Sequence, residues 1–248
     1  MADAIVSLRG VRVLYDGHPA LDAFDLEVNA GERVALVGPS GAGKTTALRL
    51  CTASVAPTSG TVTILGQDLA TTSPAQLRDI RRRVGTVYQQ LHLVGPMRVV
   101  HNVNGGRLGS WTRRRALRSL VRPVDVDVAR LALARVGISD KLLERTDRLS
   151  GGEQQRVALA RVLVQEPELI LADEPVSSLD PARAEEVMDL LGEVAADRSR
   201  TLLVSLHDFT LARRRCDRIV GVRDGRVAFD LPAAEVSDDL GTALYRID

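Results

Sequence analysis

The sequence predicts an α/β fold with a mainly parallel sheet, an N-terminal antiparallel β-layer and a helical insertion. Three observations lead there. Apolar runs at 33–37, 169–172, 201–205 and 218–222 read as buried strands, and helical spacing fills several of the intervals between them. Residues 5–37 alternate apolar and polar positions in short runs broken at Asp16, Gly17, Ala30 and Gly31, the pattern of a half-buried β-layer. From 91 to 165 the chain becomes Arg- and Leu-rich with helical spacing, punctuated by Gly95, Pro96 and Pro123.

Taken in order, strands are expected at 5–15, 21–28 and 33–37, then a helix at about 43–53 that Pro57 and Gly60 separate from a strand at 61–65. A strand at 83–88 ends at Gln89 and Gln90. After the helical insertion come a strand at 168–172, a helix at 181–196, a strand at 201–205, a helix at about 208–214 and a strand around 218–222. Asp224 and Gly225 form a hairpin turn into 226–230. The expected organisation is a single domain, 1–248, with a core of 1–90 and 166–248 and a helical subdomain of 91–165.

Gly38, Pro39, Ser40, Gly41, Ala42, Gly43, Lys44, Thr45 and Thr46 follow the strand at 33–37 and open a helix, the setting of a phosphate-binding loop. The glycines let several N–H groups converge on one anion, and the helix N-terminus adds partial positive charge. Lys44 is placed to neutralise β- and γ-phosphates, and the Thr45 hydroxyl to ligate Mg²⁺, a hard cation that prefers oxygen. Only two of the 33 basic residues are lysines, Lys44 and Lys141, so a compact ammonium stands where a phosphate loop needs one. Asp173 and Glu174 end the strand at 169–172, where open α/β sheets hold their ligands. Asp173 is the candidate second Mg²⁺ anchor, through water, and Glu174 the candidate base for an attacking water.

Composition narrows the partners. A net charge of +1 gives no global attraction to nucleic acid, and the arginine clusters at 81–83, 113–115 and 213–215 read as solvated helix faces. Cys51 and Cys216 are too few for a disulfide framework and suit a reducing compartment. No signal peptide or membrane-length apolar run is evident, so service to a membrane process would run from the cytoplasmic face through a partner.

Leu149, Ser150, Gly151, Gly152 and Glu153 precede another helical stretch. Ser150 and Glu153 make a capping box, and the paired glycines offer a second place where backbone donors can approach phosphate. One nucleotide does not need two such loops from one chain, which points to a homodimer whose copies close each other's sites.

These motifs together, GPSGAGKT from Gly38, LSGGEQQR from Leu149, LILADEP from Leu169, Ser178 to Asp180, His207 and the intervening Gln89, resemble the ATPase subunits of ATP-binding cassette transporters along essentially the whole chain. The resemblance implies two ATP molecules sandwiched between subunits, each held by one copy's phosphate loop and the other's Ser150, Gly151, Gly152 and Glu153. It implies Tyr15 stacking on adenine, Gln89 joining Mg²⁺ and attacking water to the helical subdomain, Asp180 communicating across the dimer and His207 holding the γ-phosphate. Residues 87–94, Asn102, Val103, 106–109, 172–181 and 217–230 are similar to the ATPase subunits of phosphonate importers, and the pattern departs at 94–98. Integral-membrane permease subunits and an extracytoplasmic solute-binding protein are then the implied partners. The same motif set also fits an accessory ATPase of a cytoplasmic organophosphorus-degrading complex or the ATPase of an exporter.

Overall fold

The computed structural model describes residues 4–177, 179–196 and 200–245; Ser178 therefore lies outside the described residues. β1 (Ala4–Tyr15) and β2 (His18–Asn29) form an antiparallel hairpin that turns at Asp16 and Gly17 and feeds β3 (Arg33–Val37). Apolar side chains alternate inward along both long strands, as a sheet with one wet face requires. After α1 (Lys44–Cys51), β4 (Ser59–Ile64) pairs with β1 and with the short β5 (Gln67–Asp68), completing a four-stranded layer in the order β2-β1-β4-β5.

Next comes α2 (Pro74–Arg83), then β6 (Val84–Val87). The 91–165 region contains α3 (Val99–Asn104), α4 (Arg113–Val121), α5 (Val126–Arg135) and α6 (Gly151–Gln165), joined by short 3₁₀ turns, and its described residues include no named strand. The remaining elements are β7 (Leu169–Asp173), α7 (Pro181–Ala196), β8 (Thr201–Leu206), α8 (Phe209–Arg215), β9 (Arg218–Arg223), β10 (Arg226–Pro232) and α9 (Asp238–Tyr245).

The second sheet has the order β10-β9-β3-β8-β7-β6. All its pairs are parallel except β9 with β10, which the turn at Asp224 and Gly225 makes antiparallel. Its central strands are mostly apolar because both faces are covered. Ala35, Val37, Ile170, Ala172 and Val204 join the core shared with α6, α7 and α8, whereas Val34, Leu36, Leu169, Leu171 and Leu203 join the core shared with α1 and the antiparallel layer. The two cysteines are free and buried, and burial pushes each thiol up to about 12. Among the described residues no helix is long and apolar enough to cross a membrane.

Two helices depart from the sequence expectation. α2 buries only Ile80, with Leu77 three positions before it, so its apolar stripe is short; its start is marked by Ser73 and Gln76 in a capping box, with Pro74 opening the first turn. α9 is likewise short, and its place is set by packing on α8.

Candidate active site

The parallel register brings the candidate residues together. Val37 pairs with Leu206, Ser205 with Asp173, and Ala172 with Val87, so β3, β8, β7 and β6 end side by side. The residues that follow those ends are Gly38, His207, Glu174 and, two positions beyond Val87, Gln89. Ligand sites of open α/β sheets form at such an edge.

The Gly38–Thr46 loop is curled tightly by its own chain. Gly38 has φ +152° and a Cβ there would lie 2.0 Å from the Val222 carbonyl oxygen; Gly43 has φ +105° and a Cβ would lie 2.5 Å from that of Ala20. Pro39, Ser40 and Gly41 form the accessible crown of the loop, and Ala42, Lys44 and Thr46 are buried. No side chain caps α1 and no acid stands in its first turn, so its N–H donors and dipole are left for an external anion. Lys44 Nζ donates to the Gly38 and Pro39 carbonyls at 2.7 and 3.0 Å. Burial lowers the Lys44 pKa, while Glu174 and Asp173 pull it back up.

Across the strand ends, Thr45 Oγ1 donates to Asp173 Oδ1 at 3.0 Å. Ser205, fully buried, donates to the same carboxylate oxygen at 2.8 Å and accepts the Glu174 N–H at 2.8 Å. Glu174 takes a left-handed backbone, φ +45°, a strained conformation for a non-glycine residue, and its Oε1 meets His207 Nε2. Gln89 Nε2 donates to Ser177 Oγ at 3.2 Å. Tyr15, at the tip of β1, is 42% exposed and free to offer its ring face.

The donor chemistry fits Mg²⁺. Thr45, Asp173 and Gln89 provide neutral or anionic oxygens, and among the described residues no three His, Cys, Asp or Glu side chains gather into a protein-only metal cage. A hard cation with few protein ligands takes the rest from phosphate and water.

Ser150 caps α6, accepting the Glu153 N–H at 3.3 Å while its own N–H donates to Glu153 Oε2 at 2.8 Å. The Ser150 N–H, and its hydroxyl donating to the same Oε2 at 2.8 Å, hold the Glu153 carboxyl below its usual range, aided by Lys141. A Cβ on Gly151 or Gly152 would meet nothing within 4 Å. Asp180 accepts the Arg183 N–H at 3.1 Å, at the start of α7.

Sequence reasoning missed two groups. Ser205 was hidden in an apolar strand, where a hydroxyl at the strand end was the available signal. Gln155, buried on α6, donates to the Pro175 carbonyl and so ties the Ser150 helix to the turn after Glu174. Val94, which opens the 94–98 segment, is bracketed by Asn102 with bonds of 2.8 and 3.0 Å, and just before it Arg161 donates to the Leu91 and His92 carbonyls. Several of the clustered arginines are ties of the fold, Arg81 to the Ala53 carbonyl at 2.8 Å, Arg83 to Glu168 and Arg215 to Glu185.

A phosphate loop, two acids and a histidine at adjacent parallel-strand ends, with a glycine-rich capped helix beyond, define a nucleotide-binding cassette. Residues 21–177 match the family model described as ABC transporter. The chain belongs to that family. It is 51% identical over 95% of its length to the phosphonates import ATP-binding protein PhnC of Anaeromyxobacter dehalogenans, of which it spans 47%. It is 48% identical over 97% of its length to PhnC 2 of Pseudomonas aeruginosa, spanning 90% of that protein. A dimeric bacterial ABC transporter cassette, MJ0796, superposes with a TM-score of 0.79 at 30% identity, covering 92% of this chain and 98% of its own. The same cassette bound to ADP and Pi in a post-hydrolysis state superposes at 0.75 and 29% identity, with the same coverage of both chains.

Proposed function

We propose that this chain is the ATP-binding and ATP-hydrolysing subunit that powers import through a membrane ABC transporter, with phosphonates or related organophosphorus anions as cargo. The observation that carries the reading is the alignment of Lys44, Thr45, Asp173, Glu174 and His207 at neighbouring strand ends, and the PhnC relatives support the cargo class.

In this reading the α1 N-terminus and Lys44 grip the β- and γ-phosphates and Tyr15 stacks on adenine. Thr45, Gln89 and, through water, Asp173 hold Mg²⁺, which when bound offsets charge on the phosphate oxygens. Glu174 accepts a proton from water as its oxygen bonds to the γ-phosphorus, His207 steadies the γ-phosphoryl group, and the bond to ADP breaks to release ADP and phosphate. Ser150, Gly151, Gly152 and Glu153 of a second copy complete each site, and Asp180 couples the two. Residues 1–90 and 166–248 form the nucleotide-binding core and 91–165 the subdomain that transmits closure to permease subunits at the cytoplasmic face, with an extracytoplasmic solute-binding protein delivering cargo.

The test is hydrolysis by the chain copurified with its permease in nanodiscs, with its solute-binding protein preloaded with an alkylphosphonate or with inorganic phosphate. Phosphonate-loaded protein is expected to stimulate turnover above the phosphate-loaded form, and equal or absent stimulation overturns the cargo assignment. Glu174→Gln is expected to lower kcat by at least about 100-fold while keeping ATP affinity and accumulating dimer on size exclusion. Retained turnover removes Glu174 from the base role.

A further inference from the structure

His207 lies between the end of β8 and Asp208, which caps α8 by accepting the Leu211 N–H at 2.9 Å. The His207 carbonyl therefore precedes the helix and stands outside its hydrogen-bond ladder. Its partner comes from far along the chain: the hydroxyl of Tyr245, on the last turn of α9, donates to it at 2.9 Å.

α9 is short, but it is seated firmly. Gly241 lies against the Phe209 ring so closely that a Cβ would come within 2.9 Å of it. Leu244 is buried, and Asp238 at the start of α9 pairs with Arg213 of α8 at 2.7 Å. The phenol thus arrives on a helix fixed to Phe209, the residue that follows the Asp208 cap, and to Arg213 further along α8. The Gly38 backbone also acts on the phenol oxygen, opposing the larger effect of burial, which raises the Tyr245 pKa. One hydroxyl on α9 therefore holds the backbone of the histidine segment.

We propose that Tyr245 is a positioning residue for hydrolysis: its hydroxyl pins the peptide plane after His207 and so holds the imidazole against Glu174, at the mouth of the phosphate loop. This rests on the ATPase reading above. Without the hydroxyl the His207 carbonyl loses its anchor on α9, and the backbone from which the imidazole projects is held by one contact fewer. α9 is thereby a brace for the site supplied from outside the strand ends that build it.

Tyr245→Phe removes only the hydroxyl. It is expected to lower kcat by about three- to tenfold, the worth of one hydrogen bond, with KM for ATP and Tm little changed. In a His207→Ala background the same substitution is expected to cost nothing further, because the group it positions is gone. Unchanged kcat, or an equal loss in both backgrounds, overturns the proposal. A second readout does not need turnover: the His207 ring signal in NMR, assigned among the four histidines by its loss in His207→Ala, is expected to shift in Tyr245→Phe while the other three stay. If the wild type hydrolyses no ATP the functional reading fails, and the His207 signal still decides whether Tyr245 positions the ring; a signal that does not move overturns that role.

Discussion

The loop before α1 and the loop before α6 both set glycine at a helix N-terminus, yet their surroundings differ. At Gly38 and Gly43 the chain's own carbonyls occupy the space a side chain would need, and the backbone sits where L-residues are strained. The loop is further tied down by Lys44, whose ammonium bonds two of its carbonyls. At Gly151 and Gly152 nothing approaches within 4 Å and no left-handed backbone is required. Within a helix, glycine is less stable than alanine by roughly 0.5–1 kcal/mol, so this pair is not explained by its own fold. The first loop is complete within one chain. The second is an open, capped helix end suited to close approach by something else, which in the proposed shared site is the second copy's nucleotide.

Substitutions separate the two loops. Gly43→Ala meets a positive φ and a carbonyl at 2.5 Å, so it is expected to lose nucleotide binding and to lower stability by about 2–4 kcal/mol, read by isothermal titration and thermal melting. Gly152→Ala is expected to keep Tm at or above the wild-type value and to keep single-copy ATP binding, while dimer-dependent hydrolysis falls by tenfold or more, an order-of-magnitude expectation for a blocked close approach. If Gly152→Ala melts the protein or spares turnover, the contrast between the loops is wrong. Lys44→Ala, which removes a charged donor, is expected to weaken ATP binding by about 10- to 100-fold in a direct titration.

The smallest effect concerns pH. The Ser150 N–H and hydroxyl hold the Glu153 carboxyl below its ordinary 4.5, so the native state favours the ionised form. That stabilisation is fully present above the unfolded value and is lost as pH falls through the lower native one. Ser150→Ala is expected to cost about 1 kcal/mol near neutrality and to flatten part of the stability decline below about pH 4.5, measured by urea melts across pH. An unchanged acid profile would separate Glu153 from the cap.

The strand ends were readable before the fold was known, because 33–37, 169–172 and 201–205 are apolar on both faces and bounded by chemistry-bearing residues. The phosphate loop, Asp173, Glu174 and the Ser150 capping box were readable for the same reason: each depends on neighbours within a few positions. α2 was not, since it is a mostly polar helix with one buried residue, marked only at its start by a capping box and Pro74. Ser205 was concealed by its apolar strand, although it joins Asp173 to the Glu174 backbone.

What the sequence by itself determined is therefore local: the loop, the caps, the buried strands and the family they belong to. Tertiary structure alone decided which strand lies beside which. That order puts His207 against Glu174, sets Thr45 on an Asp173 that is 128 residues away, and lets Tyr245 reach a carbonyl 38 residues earlier. The physical reason is that spacing along the chain encodes helix and strand period, whereas register between strands and the seating of a short helix come from two-sided packing of a whole core, which no local pattern contains.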